Sequence, residues 1–326
     1  MKTGLTLGKF APLHKGHQLM IETAIDEMDM VIVVVYDDPI TTIPLKTRAD
    51  WIRQLYPDIT VIEGHKAPTD SGYTPEVMKI QEDYIKALLK NISVTHFYSS
   101  EPYGEHVSLA LGAVDRRVDV KREQIPISAT KIRNNPLQNR PFIHSIVYKD
   151  LITNVVLLGA PSTGKSTLSE VLAQHYDTQF MPEYGREYWE KHQVNRRLTM
   201  LQLQEIAMGH LAREDEYIQK SNRYLFTDTN ALTTRLFSLY YHGHATDILN
   251  SLANKCHERY DVIFVCDTDI PYDDTWDRSG DANRMEFQKK IFADLKARGL
   301  SYTLISGSMQ ERVKQVESVL NDFRKY

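Results

Sequence analysis

The chain has 326 residues, 42% of them apolar, and a formal net charge of −4. That is the composition of a globular protein too long for one typical core, so two domains are expected, and the acidic balance offers no overall attraction for nucleic acid. Two cysteines, Cys256 and Cys266, with no C-x-x-C pair argue against a disulfide framework or a zinc site. The longest apolar runs, such as Met30 to Tyr36, are of strand length and too short to span a bilayer. Residues 1–7 carry no signal-peptide core, so the cytoplasm is the expected address.

Leu5-Thr6-Leu7 reads as a first strand running into Gly8-Lys9-Phe10-Ala11-Pro12-Leu13-His14-Lys15-Gly16-His17, and a helical pattern follows from Gln18 to Met28. Val31 to Val35 is a continuous β-branched run of the kind found in a central parallel strand covered on both faces. Lys46 to Leu55 reads as a helix. Further strands are expected at residues 60–62, 96–98 and 117–120, with helices at 75–90 and 106–112 between them. Strands alternating with helices predict a parallel α/β sheet.

The H-x-G-H tetrad puts His14 and His17 on one side of the turn where a strand gives way to a helix. Two imidazoles beside helix-start N–H groups make an anion site; two solvated histidines or a zinc pair are the plainer alternatives. A hundred residues on, Pro126 ends an extended segment and Ser128 is a natural N-cap, followed by Thr130, Lys131 and Arg133. This turn is either a second phosphate-binding element or a well-capped surface helix.

Residues 134–150 carry prolines and asparagines without periodicity and read as the domain junction. After it comes Gly159-Ala160-Pro161-Ser162-Thr163-Gly164-Lys165-Ser166, a complete G-x-x-x-x-G-K-S pattern between the apolar run 155–158 and a helical segment. This is the strand–loop–helix context in which backbone N–H groups wrap nucleotide phosphates. Gly159, Ser162, Thr163, Gly164 and Thr167 are expected around the phosphates. Lys165 is expected on the β- and γ-phosphates and the Ser166 hydroxyl on Mg²⁺.

A short strand, residues 178–181, leads to Glu183, which is placed either to take a proton from a substrate hydroxyl or simply to favour the next helix by its charge. A long helical pattern covers 199–220. Tyr224 to Asp228 is a strand ending in an acid, the place of a metal-side carboxylate. Val262 to Cys266 is another buried strand. The polar stretch 269–283, with Arg278 and ending at Arg284, reads as a lid carrying arginines or as a solvated loop. Residues 302–305 and 310–323 close the chain as a strand and an amphipathic helix.

Together, G-x-F-x-P-x-H-x-G-H and I-S-x-T-x-x-R resemble the paired signatures of the nucleotidyltransferase superfamily, and residues 1–135 look most like nicotinamide mononucleotide adenylyltransferases. Tyr98-Ser99-Ser100-Glu101-x-Tyr103-Gly104 and residues 118–122 support the closer match. The second half resembles nucleoside-type kinases, and the whole chain is similar to the NadR-like family of bifunctional NAD salvage enzymes. It begins at the first catalytic strand, so the helix-turn-helix domain of the repressor forms is not expected, nor is DNA binding.

The resemblance implies a Rossmann-like nucleotidyltransferase over residues 1–140 and a P-loop kinase over 150–326. It implies ATP, nicotinamide riboside, nicotinamide mononucleotide and NAD as ligands, with Mg²⁺ as cofactor; a homo-oligomer is compatible with it. Gly8, Lys9, Phe10, Ser128, Thr130 and Arg133 are then expected on the nucleotide, with His14 and His17 on its phosphates. Rival readings are a coenzyme-A-type transferase–kinase fusion and a non-catalytic NAD or ATP sensor. Trp51, Tyr73, Tyr103, Tyr184 and Trp276 are candidate stacking partners for a nicotinamide ring.

Overall fold

A computed structural model describes all residues except 40, 71, 102, 196 and 273–280. Its strands form two five-stranded sheets in which neighbouring strands pair in parallel. The chain divides into a unit ending at Tyr148 and a second spanning Lys149–Lys325.

The first unit runs β1 (Thr3–Gly8), α1 (Lys15–Glu27), β2 (Met30–Tyr36), α2 (Leu45–Leu55), β3 (Thr60–Gly64), α3 (Pro75–Leu89), β4 (His96–Ser99), α4 (Gly104–Leu111), β5 (Val114–Arg117) and α5 (Ala129–Asn134). Its sheet order is β3-β2-β1-β4-β5. The first strand lies at the centre, with Leu5 level with Ile32 on one side and Phe97 on the other, all three fully buried. The order in which successive strands are added switches sides at β1, and the crevice beyond the carboxyl ends of strands at such a point is where ligands bind in open α/β sheets. The sequence places the H-x-G-H loop at that end.

Two elements differ from expectation. The strand predicted at 117–120 lies earlier, at Val114–Arg117. Asp119, with φ +46°, instead accepts from the backbone N–H groups of Glu123, Gln124 and Ile125, which closes a turn and ends the extended chain. The stretch 134–150 is not irregular throughout. It holds a 3₁₀ turn (Arg140–Phe142) and α6 (Ser145–Leu151), with Val147 and Tyr148 fully buried and the Arg140 guanidinium over the Tyr148 ring at 4.7 Å.

The second unit runs β6 (Thr153–Leu158), α7 (Lys165–His175), β7 (Gln179–Met181), α8 (Tyr184–His192), α9 (Met200–Ile218), β8 (Tyr224–Asp228), α10 (Ala231–His242), α11 (Asp247–Asn254), β9 (Val262–Cys266), α12 (Asp281–Ala297), β10 (Thr303–Ile305) and α13 (Met309–Asp322). The sheet order is β10-β9-β6-β8-β7. Alternation along β6 divides the core into two layers. Val156 and Leu158 pack with Ile206, Leu232 and Ile291, whereas Val155 and Leu157 pack with Leu168, Leu172 and Val316.

One buried polar network joins α9 to the start of β6. Glu214, with no exposure, accepts from Asn154 Nδ2 (2.5 Å), Arg259 Nε (2.9 Å) and the Tyr260 hydroxyl (3.0 Å). Burial pushes its carboxyl up, while the Arg259 charge and these donors pull the other way. Losing Arg259 would strand a buried charge, at a cost of about 3–5 kcal/mol. The network therefore fixes the rotation of α9, the helix that lines the second site.

Candidate active sites

In the first unit the loop after β1 is shaped by its neighbours before any ligand arrives. Phe10 adopts φ +48° and its ring is buried, edge-on to His17 at 4.9 Å between centroids. A Cβ on Gly8 would meet that ring at 3.3 Å. Phe10 therefore supports His17 with its side chain, which is buried and closed to a ligand. Arg48, also buried, donates to the carbonyls of Lys9, Tyr36 (2.9 Å) and Ile43 (3.0 Å), tying this loop to the end of β2. The Lys9 ammonium pairs with Asp38 at 2.5 Å.

His14 is the N-cap of α1, and its Nδ1 accepts the His17 backbone N–H at 3.4 Å. With Nδ1 accepting, the neutral ring carries its proton on Nε2, which is left as a donor. The two imidazoles stack at 3.7 Å and 17°. Gly16 permits this, since a Cβ there would press on the His14 ring at 3.1 Å. Burial, then the nearby Arg122 charge, lowers the His14 pKa to about 4. Burial, then His14 and Arg122, holds His17 well below its ordinary value. Both are neutral N–H donors at pH 7, able to meet phosphate oxygens without a buried cation.

The second expected element reaches this loop directly. Ser128 caps α5, its Oγ accepting from Lys131 N at 3.3 Å. Arg133 donates Nη1 to the Ala11 carbonyl at 2.6 Å and Nη2 to Thr130 Oγ1 at 3.0 Å. Arg133 and Thr130 thus brace the H-x-G-H loop across 122 residues of sequence.

In the second unit the phosphate loop is preformed. Gly159 (φ +146°) and Gly164 (φ +79°) occupy conformations other residues avoid, and Ser162 is left-handed at φ +58°. A Cβ on Gly159 would lie 2.8 Å from the Cys266 carbonyl. Thr163 is fully buried and spends its hydroxyl on the Ala160 carbonyl at 2.8 Å, and Lys165 Nζ donates to the same oxygen at 2.9 Å. Ser166 Oγ donates to Asp228 Oδ2 at 2.5 Å, which brings together the two metal-side residues read from sequence. No group of three or more His, Cys, Asp or Glu able to hold a metal occurs among the described residues. A hydroxyl and one carboxylate are hard oxygen donors, a set that suits a cation held mainly by phosphates and water.

The loop opens into a cavity of about 410 Å³ whose lining includes Lys165, Thr167, Glu183 and His210. Glu183 stands at the N-cap of α8 and makes no capping bond there, so it both begins the helix and faces the cavity. The aromatic lining comes from Trp189, Phe237, Tyr241 and Phe287. None of the described rings singled out from sequence is among them. Trp51 and Tyr103 lie in the first unit, Trp51 in its core and Tyr103 packed edge-on to Phe97. Tyr73 is 61% exposed, and Tyr184 lies under the Arg213 guanidinium at 4.0 Å. Trp276 and Arg278 fall outside the described residues, as does most of the expected lid. Arg284 is buried and donates Nη2 to the Ile270 carbonyl at 2.8 Å.

Two loop supports were not foreseen. Gln288 on α12 accepts from Ala160 N at 2.8 Å and donates to Cys266 O at 3.0 Å. Arg312 on α13 donates to Thr163 O at 2.7 Å and pairs with Asp269. The spacing Phe287, Ile291, Leu295, all buried, was a legible signal for α12. Nothing local marks Arg312.

Residues 5–135 match a cytidylyltransferase-like family model, and residues 154–312 match an AAA domain model. The trifunctional NAD biosynthesis/regulator protein NadR of Salmonella typhimurium is 28% identical over 92% of this chain and 77% of its own length. The Escherichia coli protein of that description is also 28% identical, over 93% and 78%. The chain is a homologue of NadR. A crystal structure of NadR in complex with NAD and AMP-PNP shares the fold, with a TM-score of 0.57 and 24% identity over 99% of this chain and 96% of that one. NadR in complex with NR aligns with the same TM-score. As in those NadR folds, two parallel α/β units follow one another, the first cytidylyltransferase-like and the second built on the phosphate loop.

Proposed function

We propose that this NadR homologue is a bifunctional NAD salvage enzyme. The second unit transfers the γ-phosphate of ATP to the 5′-hydroxyl of nicotinamide riboside, and the first joins the resulting mononucleotide to AMP from a second ATP, giving NAD and pyrophosphate. The observation that carries the reading is the cavity in the second unit. It places a preformed phosphate loop, an acid at a helix start and a set of aromatic rings around one space. A phosphate sensor needs only the first of these. A flat ring glycosidically linked to a sugar with a primary hydroxyl fits all three.

In the kinase step the riboside oxygen forms a bond to the γ-phosphorus while the bond to the β,γ-bridging oxygen breaks, releasing ADP. Glu183 takes the hydroxyl proton, and Lys165 with the loop N–H groups holds the phosphoryl oxygens. Ser166 and Asp228 would hold Mg²⁺, which when bound supplies charge to the phosphates. In the adenylyl step a phosphate oxygen of the mononucleotide attacks the α-phosphorus, and the α,β-bridging oxygen leaves with pyrophosphate. His14 Nε2–H and His17 are read as neutral donors to the oxygens that gain charge, with Ser128, Thr130, Arg133 and Lys9 around the departing phosphates. The reaction belongs in the cytoplasm, where ATP is available.

The test is a substrate panel with Mg-ATP, following ADP and pyrophosphate separately. Nicotinamide riboside should yield ADP first and then pyrophosphate with NAD, and the mononucleotide should yield pyrophosphate alone. Turnover of 4′-phosphopantetheine with neither nicotinamide compound used would replace this reading with the coenzyme-A-type one.

A further inference from the structure

His210 is the one polar side chain on the α9 face that meets the kinase cavity, where it follows Leu203 and Ile206. It is 3% exposed, and its Nε2 has no hydrogen-bond partner. One helical turn on, Glu214 is equally buried and has three partners. The fold therefore satisfies a polar group on this helix where the group serves packing, and leaves one unsatisfied where the helix meets the cavity. A buried nitrogen without a partner is costly to keep. Its retention at a cavity wall points to a partner that arrives with a ligand.

The chemistry of that partner follows from the surroundings. Burial pushes the imidazole down to about 4, against a smaller opposing effect of Glu183, with Arg259 and Arg213 adding to the lowering. The ring is neutral at pH 7, so it can exchange a hydrogen bond with a neutral hydroxyl without burying a charge. Glu183 lines the same cavity and its charge acts on the ring, so on the kinase reading His210 belongs to the acceptor's side of the site.

We propose that His210 Nε2 hydrogen-bonds a secondary ribose hydroxyl of the phosphoryl acceptor, making His210 the residue by which the second unit tells a ribonucleoside from its deoxy counterpart. This rests on the kinase reading above.

The test measures kcat/KM in the full chain for nicotinamide riboside and for its 2′-deoxy and 3′-deoxy forms. In the native protein, loss of the contacted hydroxyl should lower kcat/KM about 10–100-fold, mostly through KM. In His210→Phe, which keeps a ring and removes the nitrogens, that penalty should fall to within about 3-fold. His210→Gln should restore part of it. Equal penalties in native and Phe variants, for both hydroxyls, overturn the proposal. So does a variant defect confined to kcat and equal across the three substrates, since His210 would then act through Glu183. If the native chain phosphorylates no riboside at all, the kinase reading fails instead. Should His210→Phe not fold, the imidazole nitrogen resonances of native protein decide the matter: Nε2 of His210 should shift on adding nicotinamide riboside and stay put on adding the 2′- or the 3′-deoxy form, and no shift with the riboside refutes the contact.

Discussion

Arg312 donates through Nη1 to the carbonyl oxygen of Thr163 at 2.7 Å, 149 residues back along the chain. Its Nε reaches the Gly307 carbonyl at 2.9 Å, and Nη2 pairs with Asp269. Three edges of one buried guanidinium thus hold the floor of the phosphate loop against the last helix. A lysine has no planar fork to do this, so Arg312→Lys should raise KM for ATP in the kinase reaction about tenfold, equivalent to ~1.4 kcal/mol. Adenylylation of supplied mononucleotide should not change. Steady-state kinetics of both reactions on one preparation checks the pair of outcomes, and an unaltered kinase KM would show that the loop holds its shape without this anchor.

The H-x-G-H loop and the phosphate loop lie in separate units, so the two reactions should fail separately. Lys165→Ala should abolish riboside phosphorylation and leave adenylylation in place. His17→Ala should do the reverse, lowering kcat for adenylylation by roughly 10²-fold, because a donor aimed at growing charge acts mainly in the transition state. A His17 variant with weaker ATP binding and unchanged kcat would make it a ground-state ligand only.

His14 makes a stability prediction through its pKa, which is lowered from 6.5 to about 4. Between those values the unfolded chain binds a proton that the folded unit refuses, so stability is greatest above pH 6.5 and falls as pH drops toward 4. The loss attributable to this one group is about 3 kcal/mol over the window. Urea unfolding followed at Trp51, in the core of the first unit, should show the slope, and His14→Gln should flatten it. Parallel curves for native and variant proteins would show that His14 titrates normally.

The acids of the kinase unit are read as having different duties, Asp228 bonded to Ser166 and Glu183 at the cavity wall. Glu183→Gln should cut kcat by ~10²–10⁴-fold with unchanged Mg²⁺ dependence. Asp228→Asn should raise the Mg²⁺ concentration needed for half-maximal rate. A metal titration on both variants decides the assignment, and a metal defect in Glu183→Gln alone would reverse it.

What the sequence by itself determined is local in its physics. The phosphate loop, the H-x-G-H turn and the Ser128 cap each depend on residues within about ten positions, whose glycine conformations, caps and strand–helix junctions are set by near neighbours. The strand run 262–266 was legible for the same reason, since burial on both faces leaves an unbroken apolar stretch. Only the tertiary structure decided what meets those loops. Arg133 pointed to the Ala11 carbonyl, Gln288 and Arg312 brought under Ala160 and Thr163, and the gathering of Trp189, Phe237 and Tyr241 at one cavity all depend on how distant helices pack. Periodicity tells which face of a helix is buried, but not which residue on that face arrives at a cavity wall with its nitrogen unpaired, as His210 does.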